Sequence, residues 1–271
     1  MIETLAGTLF GLIIGSFLNV CIYRMPRDVS VVAPRSFCPH CEAPIAWYDN
    51  IPLVSFLLLG GRCRHCQARI PLRYLVVELL TAASFALVAH RYGFTFAGLK
   101  GCVFSALVIG LVFSDLEEFI LPDELTVGGA VAGVLFALAV PLDSFFMALL
   151  VPQAWGPRPV WIAESLLGAI VSSGALWIVG ALYQRLRKRE GLGLGDVKMV
   201  AMIGAFLGLQ GALLTLVIGS VLGSVIGLLF ITIARKDYST YELPFGSFLG
   251  VAALIVGVYG PVLLGWPRLG P

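Results

Sequence analysis

The chain has 271 residues, 59% of them apolar and 13% charged, about half the ~25% charge of an ordinary soluble domain. Eighteen basic and 16 acidic residues leave a formal charge of +2, too small and too dispersed to point to nucleic acid, and no nucleic-acid partner is expected. Composition therefore excludes an ordinary cytosolic globule. A bilayer crossing takes about 20 mostly apolar residues. The apolar stretches here run unbroken, without the alternation of a membrane barrel, and a spanning helix satisfies its own backbone in lipid. The expected fold class is all-α: a polytopic membrane helix bundle of about eight transmembrane helices.

In chain order, Met1-Ile2-Glu3 lacks the basic region of a secretory signal, so the first span, about Leu5–Tyr23, is expected to stay. Its Gly7, Gly11 and Gly15 recur every fourth residue and form a small-residue face for close helix packing. Met25 to about Arg73 is the one long polar segment. Apolar stretches follow at about Tyr74–Ala89, Ala97–Ser114, Leu125–Val140 and Trp161–Tyr183. Val197–Ala234 is too long for one crossing, and Gly208-Leu209-Gln210-Gly211 is its natural break. Gly219, Gly223 and Gly227 supply a second small-residue seam. The last stretch, about Gly246–Leu264, completes eight.

Orientation follows from Lys and Arg. Arg24, Arg27, Arg35, Arg62, Arg64, Arg69 and Arg73 lie in or beside the long loop; Arg185, Arg187, Lys188, Arg189 and Lys198 flank the Leu182–Lys198 connection, and Arg235 and Lys236 the next. With eight spans all of these share one side, leaving Arg91, Lys100, Arg158 and Arg268 opposite. The basic side is the cytoplasm, so the long loop, the Asp115–Glu124 turn and the Arg235–Leu243 loop are expected there, with both termini outside.

Within the long loop stand Cys38-Pro39-His40-Cys41 and Cys63-Arg64-His65-Cys66. Two such pairs read as a tetrahedral zinc site with Cys38, Cys41, Cys63 and Cys66 as ligands, each pair gripping the ion from a tight turn. Disulfides are the competing reading, disfavoured in a reducing cytoplasm. Four thiolates leave no open position, so one structural zinc per chain is expected. His40 and His65 are expected to face solvent, and Cys21 and Cys102 to be small core residues.

Ionisable groups at membrane depth are functional candidates. Glu3, Asp143 and Asp237 fall at span ends, and Glu117, Glu118, Asp123 and Glu124 belong to a polar turn around Leu121-Pro122. Asp115, ending the third span, and Asp196, opening the sixth in Gly193-Leu194-Gly195-Asp196, are harder to dismiss. At similar depth on adjacent helices their carboxyls can meet and share one proton, one acting as base toward water and the other as acid toward a carbonyl oxygen. The glycines before Asp196 leave room for an extended peptide backbone. A helix N-cap is the structural alternative for Asp196, and spacing does not decide between them.

Gly193-Leu194-Gly195-Asp196 matches the GxGD signature of intramembrane aspartyl proteases, and the whole chain resembles the bacterial type IV prepilin peptidases. The matching elements, in family order, are Gly15-Ser16-Phe17-Leu18-Asn19-Val20 with Tyr23-Arg24, the paired CxxC, Asp49-Asn50-Ile51-Pro52, Arg73-Tyr74 with Val77-Glu78, Asp115 with Leu121-Pro122-Asp123, Asp196-Val197-Lys198, and Leu243-Pro244-Phe245-Gly246. The resemblance implies cleavage of the basic leader from type IV prepilins and type II secretion pseudopilins, after a glycine, on the cytoplasmic side of the bacterial inner membrane, with catalytic Asp115 and Asp196. Pro244-Phe245-Gly246 stands where the superfamily carries a proline-containing loop beside the active site. Many members also methylate the new N-terminus with S-adenosylmethionine. Glu78, Arg73, Asn19 and Asn50, with Arg24, are the residues considered for that cofactor, although Glu78 can equally form a salt bridge at its helix start. Leu75 departs from the family's proline and is expected to blunt that start. The corresponding division is 1–24 for the first helix, 25–73 for the zinc-binding domain associated with methyl transfer, and 74–271 for the peptidase. A transporter or channel using the two aspartates as an ion relay is the alternative, and would call for inverted repeats.

Overall fold

A computed structural model of the chain describes residues 1–150, 156–188, 192–234 and 243–263. Arg189, Arg235, Lys236, Asp237, Leu264 and Arg268, on which the sequence expectations draw, lie outside the described residues. Among the described residues the chain is helical, with two isolated β-bridges in the polar loop and no strand. The α-helices are α1 (Ile2–Arg24), α2 (Val54–Leu58), α3 (Leu72–Tyr92), α4 (Phe96–Glu118), α5 (Asp123–Phe136), α6 (Phe145–Leu150), α7 (Pro157–Arg187), α8 (Leu194–Ala234) and α9 (Phe245–Leu263). Five segments, Ile2–Arg27, Leu72–Tyr92, Phe96–Glu118, Pro157–Arg187 and Leu194–Phe230, are long and apolar enough to cross a membrane; Phe245–Val258 is a shorter apolar helix. Exposed Leu9, Phe10 and Ile13 on α1, and Val217, Val221 and Val225 on α8, give these helices the apolar outer faces that lipid requires.

The chain forms two compact units, Met1–Phe113 and Ser114 onward. In the first, α1 packs on α3 along its glycine face. A Cβ at Gly11 would stand 2.7 Å from the Ala82 Cα, and one at Gly15 2.7 Å from the Glu78 Cα, so the seam expected from the four-residue spacing is a backbone-to-backbone contact. Leu18, Ile22, Val77 and Phe85 are buried in this unit. Because α3 packs on α1, the first compact unit runs on past residue 73 to Phe113. Helix α3 also starts sharply at Leu72, where Pro71 (φ −57°, ψ 138°) sets the entry. Leu75 lies inside the first turn and does not blunt it.

In the second unit α8 is the central helix, with α5, α7 and α9 packed on it. Gly219 faces Leu249 and Gly223 faces Phe248, so the second glycine seam seats α9. Helix α8 bends at Gly208, where φ 73° and ψ 178° are open to glycine and to few other residues. The bend falls inside the break expected from sequence. A backbone N–H at the bend is met by Glu164 of α7, 1% exposed: Oε1 accepts the Leu209 N–H at 3.1 Å, while Oε2 accepts the Met147 N–H of α6 at 3.1 Å. The apolar run Trp161–Tyr183 hides this residue from periodicity; its signal was simply a carboxylate inside a membrane stretch.

Candidate active site and metal centre

Helix α4 continues through Glu118, so Asp115 lies one turn inside the helix and does not end it as the sequence suggests. The extra turn is closed by Phe119, at φ 54°, whose N–H donates to the Asp115 carbonyl at 3.0 Å. The Ser114 hydroxyl donates to the Ile120 carbonyl at 2.8 Å. This places Asp115 inward, 5% exposed. Its Oδ2 accepts two hydrogen bonds from Ser247 in the first turn of α9, from the backbone N–H at 2.6 Å and from the hydroxyl at 2.8 Å. Gly246 brings that backbone in: a Cβ there would lie 3.1 Å from both Cγ and Oδ2 of Asp115. Ser247 is a site residue that the motifs did not reveal, although it directly follows Pro244-Phe245-Gly246.

Asp196 is the third residue of α8, so it is not the N-cap itself. It does reach back to the Gly193 N–H, as an acidic residue at this helical position can. Capping does not take Asp196 out of the neighbourhood of Asp115, because one side chain, Leu121, borders both Gly195 and Gly246. Leu121 wedges beside the pair, 3.1 Å from where a Gly195 Cβ and a Gly246 Cβ would stand. The space at Gly195 is thus filled, whereas Gly193 is exposed and its nearest side-chain neighbour is Asp196 Oδ2, 3.6 Å from a built Cβ. Lys198 donates to both oxygens of Asp123 at 2.7 and 2.9 Å, tying α8 to the start of α5. Glu117, Asp123 and Glu124 are exposed at this end.

In the polar loop, ligand atoms of Cys38, Cys41, Cys63 and Cys66 all lie within 4.8 Å of one another. The Cys38 and Cys66 sulfurs are 3.8 Å apart, the separation that two ligands at about 2.3 Å make across a tetrahedral zinc. The two pairs adopt one turn twice. The N–H of Cys38 donates to Ala43 and that of Cys63 to Ala68, while Glu42 and Gln67 donate back to the carbonyls of Cys38 and Cys63. Glu42 and Gln67 both take left-handed φ, 56° and 58°. Backbone N–H groups of Cys66 and His65 pull the Cys63 thiol down to about 6. Cys41 is pushed up to about 11, against its backbone hydrogen bond to Ala43, by desolvation and the three neighbouring thiols. Four thiolates this crowded need a cation between them. Arg64 braces the second turn, donating from Nε to Asp49 Oδ2 at 2.7 Å and from its terminal nitrogen to Oδ1 at 2.6 Å.

The residues considered for a methyl donor are only partly brought together. Glu78 Oε2 accepts the Leu53 N–H at 2.8 Å, holding the polar loop on α3. Asn19 donates from Nδ2 to the Tyr74 carbonyl at 3.0 Å. Asn19 is 2% exposed, and its Oδ1 lacks a hydrogen-bond partner among the described residues. Arg73 stacks its guanidinium 4.6 Å from the Tyr74 ring centre. Asn50 is exposed in the short 3₁₀ turn Trp47–Asn50. Arg24 is occupied with the carbonyls of Ser30 at 2.8 Å and Arg35 at 3.3 Å, and so ties down the start of the loop.

Fold and site define a polytopic helical membrane protein with a buried carboxylate on α4, a half-buried one at the start of α8, and a four-cysteine loop. Residues 9–92 match the bacterial Peptidase A24 N-terminal domain, and residues 102–228 match the type IV leader peptidase family. The chain is 34% identical over 282 residues to the prepilin leader peptidase/N-methyltransferase of Aeromonas hydrophila, covering 95% of this chain and 91% of that one. It is 32% identical over 274 residues to the protein of the same name from Neisseria gonorrhoeae, covering 92% and 88%. Identity reaches 39% over 221 residues with the Myxococcus xanthus protein of that name, covering 82% of this chain and 61% of that relative. No solved structure gives a significant match. The chain belongs to the type IV leader peptidase family, and is a multi-pass protein of the bacterial inner membrane.

Proposed function

We propose that this prepilin leader peptidase and N-methyltransferase cleaves the leaders of type IV prepilins and type II secretion pseudopilins with Asp115 and Asp196, at the cytoplasmic face of the inner membrane. Family membership across most of the chain supports the two activities. The observation that supports the residues is that Leu121 packs against Gly246, which abuts Asp115, and against Gly195, beside Asp196, so the two carboxylates share one neighbourhood beside the open backbone of Gly193. Nothing in the fold or the relatives favours an ion relay. The basic loop and connections support the cytoplasmic orientation, with eight crossings segregating the charges.

Two carboxyls brought close together hold one proton between them. A water set between them loses a proton to the ionised carboxylate as its oxygen attacks the scissile carbonyl carbon. The protonated carboxyl gives its proton to the carbonyl oxygen. The resulting diol collapses with breakage of the C–N bond. The first carboxyl returns its proton to the leaving nitrogen, and the second recovers one from a diol hydroxyl. The substrate's backbone passes over Gly193, and the exposed Glu117 and Glu124 suit a basic leader. Asp115→Asn and Asp196→Asn each abolish leader cleavage in membranes while the protein still accumulates there; cleavage by both variants at the wild-type rate would sink the assignment.

The four cysteines fit one structural zinc, on the spacing of their sulfurs. For S-adenosylmethionine, the buried unmet acceptor of Asn19 and the nearby Glu78 fit a cationic, donor-rich ligand. When bound, that cofactor supplies an electrophilic methyl group. Incubation with labelled S-adenosylmethionine and cleaved pilin labels the new N-terminus, and Asn19→Ala weakens cofactor binding measured directly.

A further inference from the structure

The two aspartates are not held alike. Asp115 is buried and accepts two donors from Ser247 on a single oxygen, at 2.6 and 2.8 Å. Asp196 is half-exposed, reaches back to the single backbone N–H of Gly193, and borders the open side of the site. Donors directed at a carboxylate favour its ionised form, because a carboxyl that must itself donate cannot accept equally well at the same oxygen. Gly246 lets the α9 backbone approach closely enough to deliver both donors, since a Cβ there would stand 3.1 Å from the carboxylate. Among the described residues, other charged groups on this side are Glu117 and Glu118 on α4, Asp123 and Glu124 on α5, Arg185 and Arg187 in the last turn of α7 with Lys188 after it, and Asp196 and Lys198 on α8; Lys198 is bound to Asp123 at 2.7 Å. Helix α9 carries no acidic or basic residue.

We propose that Ser247 is a positioning residue that holds Asp115 as the base of the pair, leaving Asp196 to carry the proton delivered to the scissile carbonyl oxygen. The inference rests on the assignment of the dyad to Asp115 and Asp196. Ser247 touches no reacting atom: it fixes Oδ2 and leaves Oδ1 of Asp115 to take the proton of water. The backbone donor survives Ser247→Ala, Ser247→Val and Ser247→Thr, whereas the hydroxyl donor survives only Ser247→Thr.

The test is leader cleavage by membranes carrying the full chain, followed as kcat and kcat/KM against pH. Ser247→Ala lowers kcat about tenfold, as loss of one hydrogen bond to a charged group does. It also moves the acidic limb of the profile up by roughly half to one pH unit, because Asp115 ionises less readily without the hydroxyl. Ser247→Thr keeps the wild-type limb. A slower Ser247→Ala enzyme with an unmoved acidic limb makes Ser247 merely structural and overturns the proposal. Should the alanine variant not accumulate, Ser247→Val beside the equally shaped Ser247→Thr makes the same comparison, and coincident limbs overturn it. Full cleavage by Asp115→Asn defeats the dyad instead, independently of any result at 247.

Discussion

The fork between Arg64 and Asp49 shows what one residue adds to a small loop. With only short helical turns of its own, the polar segment has little core, and this bidentate pair clamps the Trp47–Asn50 turn to the second cysteine turn. Arg64 holds the Asp49 carboxyl below the usual carboxylate range, by its hydrogen bonds first and its charge second. The lowered folded value means the clamp acts in full above the ordinary aspartate value of about 4. It is lost as pH falls through the lower folded value. Asp49→Asn therefore speeds hydrogen exchange across residues 47–66 at pH 7, relative to the intrinsic rate at that pH, and the difference from wild type closes under acid conditions. Equal exchange at pH 7 would remove the clamp from the account. At this scale the sequence was legible where a residue type carries its own meaning. Asp115 and Asp196 stood out because carboxylates are costly in lipid. Ser247 did not, because a serine in an apolar helix is ordinary until a carboxylate from another helix is placed 2.8 Å from its hydroxyl.

Among the elements, α8 is the most demanding, since a bend inside a long apolar helix frees backbone groups that need a partner within the protein. Gly208 permits the bend and Glu164 completes it, accepting from Leu209 across the break and from Met147 at the same time. Glu164→Ala leaves one buried and one part-buried donor unmet and is expected to cost about 2–4 kcal/mol. Thermal unfolding in detergent should fall accordingly. Glu164→Gln costs less, because its amide oxygen still accepts one of the two N–H groups. A melting temperature unchanged in both variants would show that the bend is held by packing alone. The bend itself was readable as a glycine-rich break in an overlong apolar stretch. What fills it was not, because Glu164 lies 45 residues away along the chain.

For the whole molecule, the four-cysteine loop and the helices are expected to lose stability separately. Metal analysis of chelator-free protein should find about one zinc per chain. Stripping the metal should expose the 25–71 segment to protease while the helical circular dichroism stays nearly unchanged, since α2 spans five residues. A metal-free loop that resists protease equally well would mean that its own turns suffice. Composition and spacing alone are enough to expect an all-helical membrane chain, its glycine seams, the cysteine quartet and the two candidate aspartates. Each is written in local composition or spacing, and membrane burial makes every charge conspicuous. It took the folded chain to show that Asp115 lies a turn inside α4, that Asp196 reaches back to the start of α8, and that Ser247 and Glu164 tie separate helices together. These depend on hydrogen bonds between helices far apart in the chain, and hydropathy carries no record of which backbone donor a buried oxygen will meet.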